Sequence, residues 1–306
     1  MQLRIRKNVV MAILERMGGC VTAKCMQKYL FVFSRTYRED CIYDFVPYKY
    51  GCFSFQANQD LNALERDGYI AITENDNKER SYSMLHKVDA YMTLDMFMSA
   101  AIDKICDELG NMSQDELIAY TYRKWPATAV NSVIKEKLLD KAELARVDRY
   151  ANMYKKDERE LMTIGYEGFT LEAYLRRLMS NDVRVLVDVR KNAFSMKFGF
   201  SKALLEKACA GVGIKYIHMP QLGIESSKRT QLVTQADYDA LFGDYEKTTL
   251  KENWKYLLNL AEVVRESGRV CLTCFEKDPA QCHRTRVANA LMGLDDLNVK
   301  YSPLYL

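Results

Sequence analysis

The chain has 306 residues, 48% of them hydrophobic and 28% charged, with a formal net charge of +3, so it exceeds the ~100–200 residues of one ordinary domain and has ample material for two cores. Its longest apolar runs, such as 29–33 and 183–187, stop far short of the ~18 residues that cross a bilayer, which excludes a helical membrane protein. The N-terminus lacks the pattern of a secretory leader, and nine scattered cysteines (20, 25, 41, 52, 106, 209, 271, 274 and 282) make a poor disulfide framework, so a cytoplasmic protein with reduced thiols is expected.

Residues 6–17 place Val9, Ile13 and Met17 at helical spacing and stop at Gly18-Gly19. A second helix is expected from near Thr22, and Ser54 caps a third that runs to Asp67 with Ala57, Leu61 and Leu64 inward. Residues 69–73 and 81–84 read as a hairpin across a polar connection. Helix, helix, helix, hairpin predicts a winged-helix-like module over residues 1–87. This segment holds the whole charge excess, 13 basic residues against 10 acidic. Its third helix nevertheless carries Asp60, Glu65 and Asp67 against Arg66, a balance that opposes docking beside phosphates, and such modules also serve as protein-interaction platforms.

Residues 88–158, rich in Met, Leu, Ala, Glu and Lys with one break at Trp125-Pro126, read as a helical connector. The charged run 155–160 marks a boundary. From 159 to 306 the pattern becomes strand-helix alternation. Strands are expected at 161–164, 183–189, 215–219 and 269–275, with helices after Phe169, from Ser201, through Trp254 and Leu257, and from near Cys282. This predicts an α/β domain, a mainly parallel open sheet with helices on both faces.

In such a sheet, ligands bind beyond the carboxyl ends of the strands. That rule selects Gly165 and Tyr166, then Asp188 and Arg190, then His218 and Gln221, and finally Cys274 and Glu276, with Cys282, His283 and Arg284 opening the next helix. The period of two puts Cys274 and Glu276 on one face of their strand, and Asp188 and Arg190 on one face of theirs, so each pair can look into the same crevice. Asp188, Glu276, His283 and Cys274 are the candidate catalytic residues: carboxylates for general-base work or cation stabilisation, an imidazole to carry a proton, and a thiol beside a helix start. Arg190 and Arg284 are the candidate anion holders, with Cys282 and Tyr166 beside them. The competing reading is that these charges form structural ion pairs tying strand ends to loops. Cys271-x-x-Cys274, with Cys282-His283 eight residues on, has the look of a zinc site but is disfavoured, because residues three apart on a strand point to opposite faces; no metal site and no cofactor are assigned.

The stretches TIGYEGFTLEAYL, VDVRKNAFSMKFGFSKALL, IKYIHMPQLGI and CFEKDPAQCHRTRVA together resemble the domain of unknown function 488 family over residues 161–292. Cys-Phe-Glu followed by Cys-His-Arg is the most specific part. The family commonly carries a proline and an arginine where this chain has Ala193 and Met196, so the resemblance implies that one basic contact of that loop is either missing or supplied by Lys197. Residues 43–70 are similar to winged-helix-like modules of prokaryotic antitoxin and phage-related proteins.

Two functional expectations follow. The first is an enzyme acting on a nucleotide or nucleic-acid group, by hydrolysis or transfer at a glycosidic or phosphoester bond, in an anion-binding pocket. The second is a ligand-sensing regulator that binds DNA through residues 1–87 without catalysis. Nucleotide or nucleic acid is the expected partner in either case, and a homo-oligomer is compatible with the sequence.

Overall fold

The computed structural model describes residues 2–37, 42–229, 232–294, 297 and 299–304, so Cys41 lies outside the described residues. The chain divides into two compact units, Met1–Met153 and Tyr154–Leu306. Among the described residues no helix is long and apolar enough to cross a membrane.

In the first unit, α1 (Gln2–Arg16) stops before Gly18 and Gly19, which take positive φ values of 78° and 83° that glycine adopts without steric cost. β1 (Cys20–Thr22) follows, and the Thr22 hydroxyl caps α2 (Ala23–Thr36) by accepting the Cys25 N–H. A hairpin unforeseen from the sequence, β2 (Val46–Tyr48) with β3 (Gly51–Phe53), precedes α3 (Phe55–Arg66), whose N-cap is the expected Ser54. β4 (Ile70–Glu74) and β5 (Arg80–Met84) form the expected hairpin, and β1 joins it in the order β1-β5-β4. Asp60 of α3, counted above as a surface acid, is buried and accepts from Arg6, Tyr43 and Gln56.

α4 (Met96–Leu109) and α5 (Gln114–Lys124) follow, then α6 (Lys135–Leu138) and α7 (Lys141–Asn152), with the helical path broken at Pro126 as expected. Met98, Ile102, Ile105 and Leu117 join one core with Val9–Leu14 and Met26–Phe33. The helices after residue 88 therefore complete the core begun by α1–α3, each buried aliphatic side chain contributing about 1.5–3 kcal/mol.

The second unit alternates strands and helices: β6 (Glu160–Gly165), α8 (Leu171–Ser180), β7 (Val185–Asp188), α9 (Lys202–Gly211), β8 (Lys215–His218), α10 (Gln235–Tyr245), α11 (Trp254–Ser267), β9 (Arg269–Cys274), α12 (His283–Met292) and β10 (Lys300–Leu304). The five strands pair in the order β10-β6-β9-β7-β8, every pairing parallel. Leu161, Val185, Val187, Val270 and Leu272 share one core with Phe242 of α10, Leu257 and Leu260 of α11, and Val287 and Leu291 of α12. Alternation sends Thr273 to the other face, where it meets the Tyr174 hydroxyl of α8 at 2.7 Å. At the amino end of β9, the buried Arg269 guanidinium donates to the carbonyls of Glu158, Asn181 and Asp182 and to the Glu160 carboxylate.

Candidate functional site

Strand register decides which of the selected residues meet. β7 pairs with β9 so that Asp188 lies opposite Thr273, one residue short of Cys274. Paired residues share a face, so Asp188 and Cys274 leave the sheet on opposite faces. The single crevice expected from the sequence is therefore two adjoining clusters at the carboxyl edge.

The first cluster is built on Asp188. It is fully buried and takes a two-pronged contact from its neighbour, Arg190 Nε to Oδ1 at 2.9 Å and Nη2 to Oδ2 at 2.5 Å, while the Tyr216 hydroxyl donates to Oδ2 at 2.6 Å. Arg190 Nη1 donates to the Tyr166 hydroxyl at 2.8 Å. Burial opposes the Arg190 charge, but Asp188 outweighs it and holds the guanidinium pKa above its ordinary value. Tyr166 stacks on Phe200 with ring centroids 4.4 Å apart, and Lys197 Nζ turns inward to the Tyr166 carbonyl at 3.0 Å. Arg190, Tyr166 and Lys197, selected as anion contacts, are thus committed to partners within the unit. Their geometry is that of a tie between β6, β7 and the loop that follows β7.

The second cluster gathers Cys274, Cys282 and His283, all buried, with one donor atom from each lying within 4.8 Å of the others. Cys274 Sγ stands 3.7 Å from His283 Nδ1 and 3.3 Å from Glu276 Oε2. His283 Nε2 is 2.9 Å from the Val189 carbonyl, which can only accept; Nε2 therefore carries a hydrogen, and Nδ1 faces the sulfur. Cys271, three residues before Cys274, is buried toward the opposite face, as its spacing requires.

Two arginines enclose this corner. Arg229, from the loop after β8, pairs with Glu276 Oε1. Arg284 is fully buried and donates Nη1 to the Glu276 carbonyl and Nη2 to the Lys277 carbonyl. It thereby clamps the loop between β9 and α12. Nε of Arg284, and Nε and Nη2 of Arg229, are buried without a hydrogen-bond partner. Burial alone would raise the Glu276 carboxyl's pKa, yet Arg229 and the neighbouring Cys282 thiol bring it below the ordinary value, so it is charged at neutral pH. Burial, reinforced by Cys274, pushes the Cys282 thiol well up.

The loop reaches this position because Gly165 ends β6. A Cβ there would fall 1.8 Å from the Glu276 carbonyl oxygen, which leaves glycine as the residue that fits. Outside the clusters, Phe194, Met196 and Phe275 are exposed, and Phe275 packs edge-on against Tyr166 at 5.3 Å. A cleft lined by Lys191, Asn192, Phe194, Lys202 and His218 runs beside them. The sequence reading passed over Arg229 and Tyr216. Tyr216 had a readable signal, since its strand pairs beside β7 with Tyr216 two residues before His218. Arg229 had none, because it sits in a loop without periodicity.

The polar corner, fed by a strand end and a helix start, lies at the carboxyl edge of a parallel sheet, the edge beyond which open α/β sheets bind ligands. Residues 170–291 of this unit match the family model described as Domain of unknown function DUF488. The matched span runs from the cap of α8 to near the end of α12 and includes both clusters except Tyr166. No curated relative matches the chain.

Proposed function

We propose that the C-terminal unit is an enzyme acting on a nucleotide or nucleic-acid group, by hydrolysis or transfer at a glycosidic or phosphoester bond. The observation that carries this reading is the set of three unpartnered guanidinium nitrogens on Arg229 and Arg284 beside the charged Glu276 carboxylate. Buried donors without acceptors are costly, and an anionic oxygen is the ligand that satisfies them. Glu276 then serves as general base or stabilises a developing cation. The exposed rings of Phe194 and Phe275 offer stacking surfaces for a base. Asp188 acts at a distance by fixing Arg190 and the end of β7.

The test is turnover by the purified full chain on a panel of nucleotides and single-stranded DNA and RNA, with products separated by chromatography. Glu276→Gln is expected to lose about 100-fold or more of the rate while still unfolding in one cooperative transition, which shows that the variant is folded in the assay. Full activity in that variant removes Glu276 from catalysis.

A second reading rests on the N-terminal unit. The helix and strand order, with β1 joining the β4-β5 hairpin, supports a winged-helix module, and α3 presents Gln59, Asn62 and Arg66 to solvent while Asp60 turns inward. Amide side chains on an exposed helix are suited to base edges in the major groove. In this reading the C-terminal corner senses a nucleotide and the N-terminal unit binds DNA. Gel shifts of the full chain on duplex fragments should weaken at least ~10-fold when Gln59 and Asn62 are both changed to alanine; equal shifts count against it.

A further inference from the structure

We infer that Cys274, Cys282 and His283 bind a divalent transition-metal ion, zinc being the best match, with the Glu276 carboxylate beside Cys274. Two sulfurs and one imidazole nitrogen are the donor set that selects zinc among common divalent ions. The separations fit. For zinc–sulfur and zinc–nitrogen bonds of about 2.3 and 2.05 Å at the tetrahedral angle, sulfur and nitrogen lie about 3.6 Å apart; Cys274 Sγ and His283 Nδ1 are 3.7 Å apart. Cys282 Sγ closes the triangle within 4.8 Å, and Glu276 Oε2 lies 3.3 Å from Cys274 Sγ.

The surroundings are those of a metal ligand shell. A histidine bound to metal through one nitrogen donates its other N–H to a carbonyl or carboxylate, which fixes the ring, and His283 Nε2 does so to Val189. Glu276 is likewise held through Oε1 by Arg229, which leaves Oε2 toward the sulfurs. Two thiolates and a carboxylate sum to three negative charges, which the ion and the flanking Arg229 and Arg284 offset. The donors are supplied by rigid elements, a strand end and the first turn of α12, with seven loop residues between the two cysteines. The i, i+3 argument against Cys271 still holds; the partner of Cys274 is Cys282.

Metal occupancy is read without any substrate, so this inference and the proposed reaction fail separately. The full chain, purified under reducing conditions, is titrated with Co2+ and with Zn2+, and its metal content is measured by mass spectrometry. The expected result is one ion per chain, with thiolate-to-cobalt charge-transfer absorption and the visible bands of a tetrahedral site. Cys282→Ser and His283→Ala should each weaken Co2+ binding by more than about 100-fold, beyond the usual loss from removing an outer-shell partner. Cys271→Ala should bind as the parent does. Should the variants fail to fold, alkylation of the parent decides: zinc should shield Cys274 and Cys282, and a chelator should expose them. Absence of charge-transfer bands, equal alkylation with and without zinc, or a Cys274–Cys282 disulfide in chain isolated without oxygen would each overturn the inference.

Discussion

Replacing Gly165 with alanine tests how the site is held. The new Cβ would lie 1.8 Å from the Glu276 oxygen and 2.5 Å from its carbonyl carbon, whereas ordinary contact begins near 3.4 Å, so the loop backbone must retreat by about 1.6 Å. Such a retreat draws the Glu276 and Lys277 carbonyls away from Arg284, which is fully buried and cannot turn to water. Each hydrogen bond to a charged group is worth about 1.5–3 kcal/mol, so losing both costs about 3–6 kcal/mol before relaxation. The assay is urea unfolding followed by Trp254 fluorescence in a Trp125→Phe background, which silences the other of the two tryptophans. Gly243→Ala is the control: it lies in α10 with nothing within 4 Å of the added methyl, and should gain about 0.5–1 kcal/mol. A Gly165→Ala chain within about 0.5 kcal/mol of the parent would refute the reasoning.

Four further outcomes are expected. Arg269→Met leaves Glu160 and three carbonyls without their donor and should destabilise the C-terminal unit by about 3–5 kcal/mol in the same unfolding assay. Tyr216→Phe removes one of the donors to the buried Asp188 and should cost about 1–3 kcal/mol, read in the same way. Folding lowers the Glu276 pKa from its ordinary 4.5, so the unfolded chain binds that proton more tightly. Its stabilisation is complete above about pH 4.5 and is lost as pH falls through the lower folded value, so the stability gap between parent and Glu276→Gln should shrink in denaturant titrations taken from about pH 6 to pH 3. Phe194→Ala changes an exposed ring and should leave stability within about 0.5 kcal/mol, while weakening single-stranded oligonucleotide binding measured by fluorescence anisotropy.

Much of the fold was readable because local rules were strong where they applied. Ser54 and Thr22 cap the helices that follow them, Gly18 and Gly19 stop α1, and the apolar runs around Val187 and Leu272 are buried on both faces. Three-residue strands such as β1, β2 and β3 hold too few residues to show a period, and β10 has its pattern interrupted by Pro303. The site was legible as a set of residues and illegible as an arrangement. Alternation along a strand tells which neighbours share a face, but only the Asp188 to Thr273 register tells that Asp188 and Cys274 do not. Arg190 and Arg284 looked alike in the sequence as anion holders. One is occupied by Asp188 and Tyr166; the other holds loop carbonyls with one N–H left over.

β9 carries its two polar assemblies at opposite ends, Arg269 at the first residue and Cys274 at the last. They make different demands on the cell. Substitutions of Arg269 lower the folded fraction and with it the amount of protein that escapes proteolysis, whereas a near-isosteric change of the Cys274 sulfur, such as Cys274→Ser, alters the corner at a smaller cost in folded chain. A deep mutational scan scored once for abundance and once for phenotype should therefore separate the two ends of this six-residue strand, Arg269 sensitive in both scores and small polar changes at Cys274 more sensitive in the second than in the first.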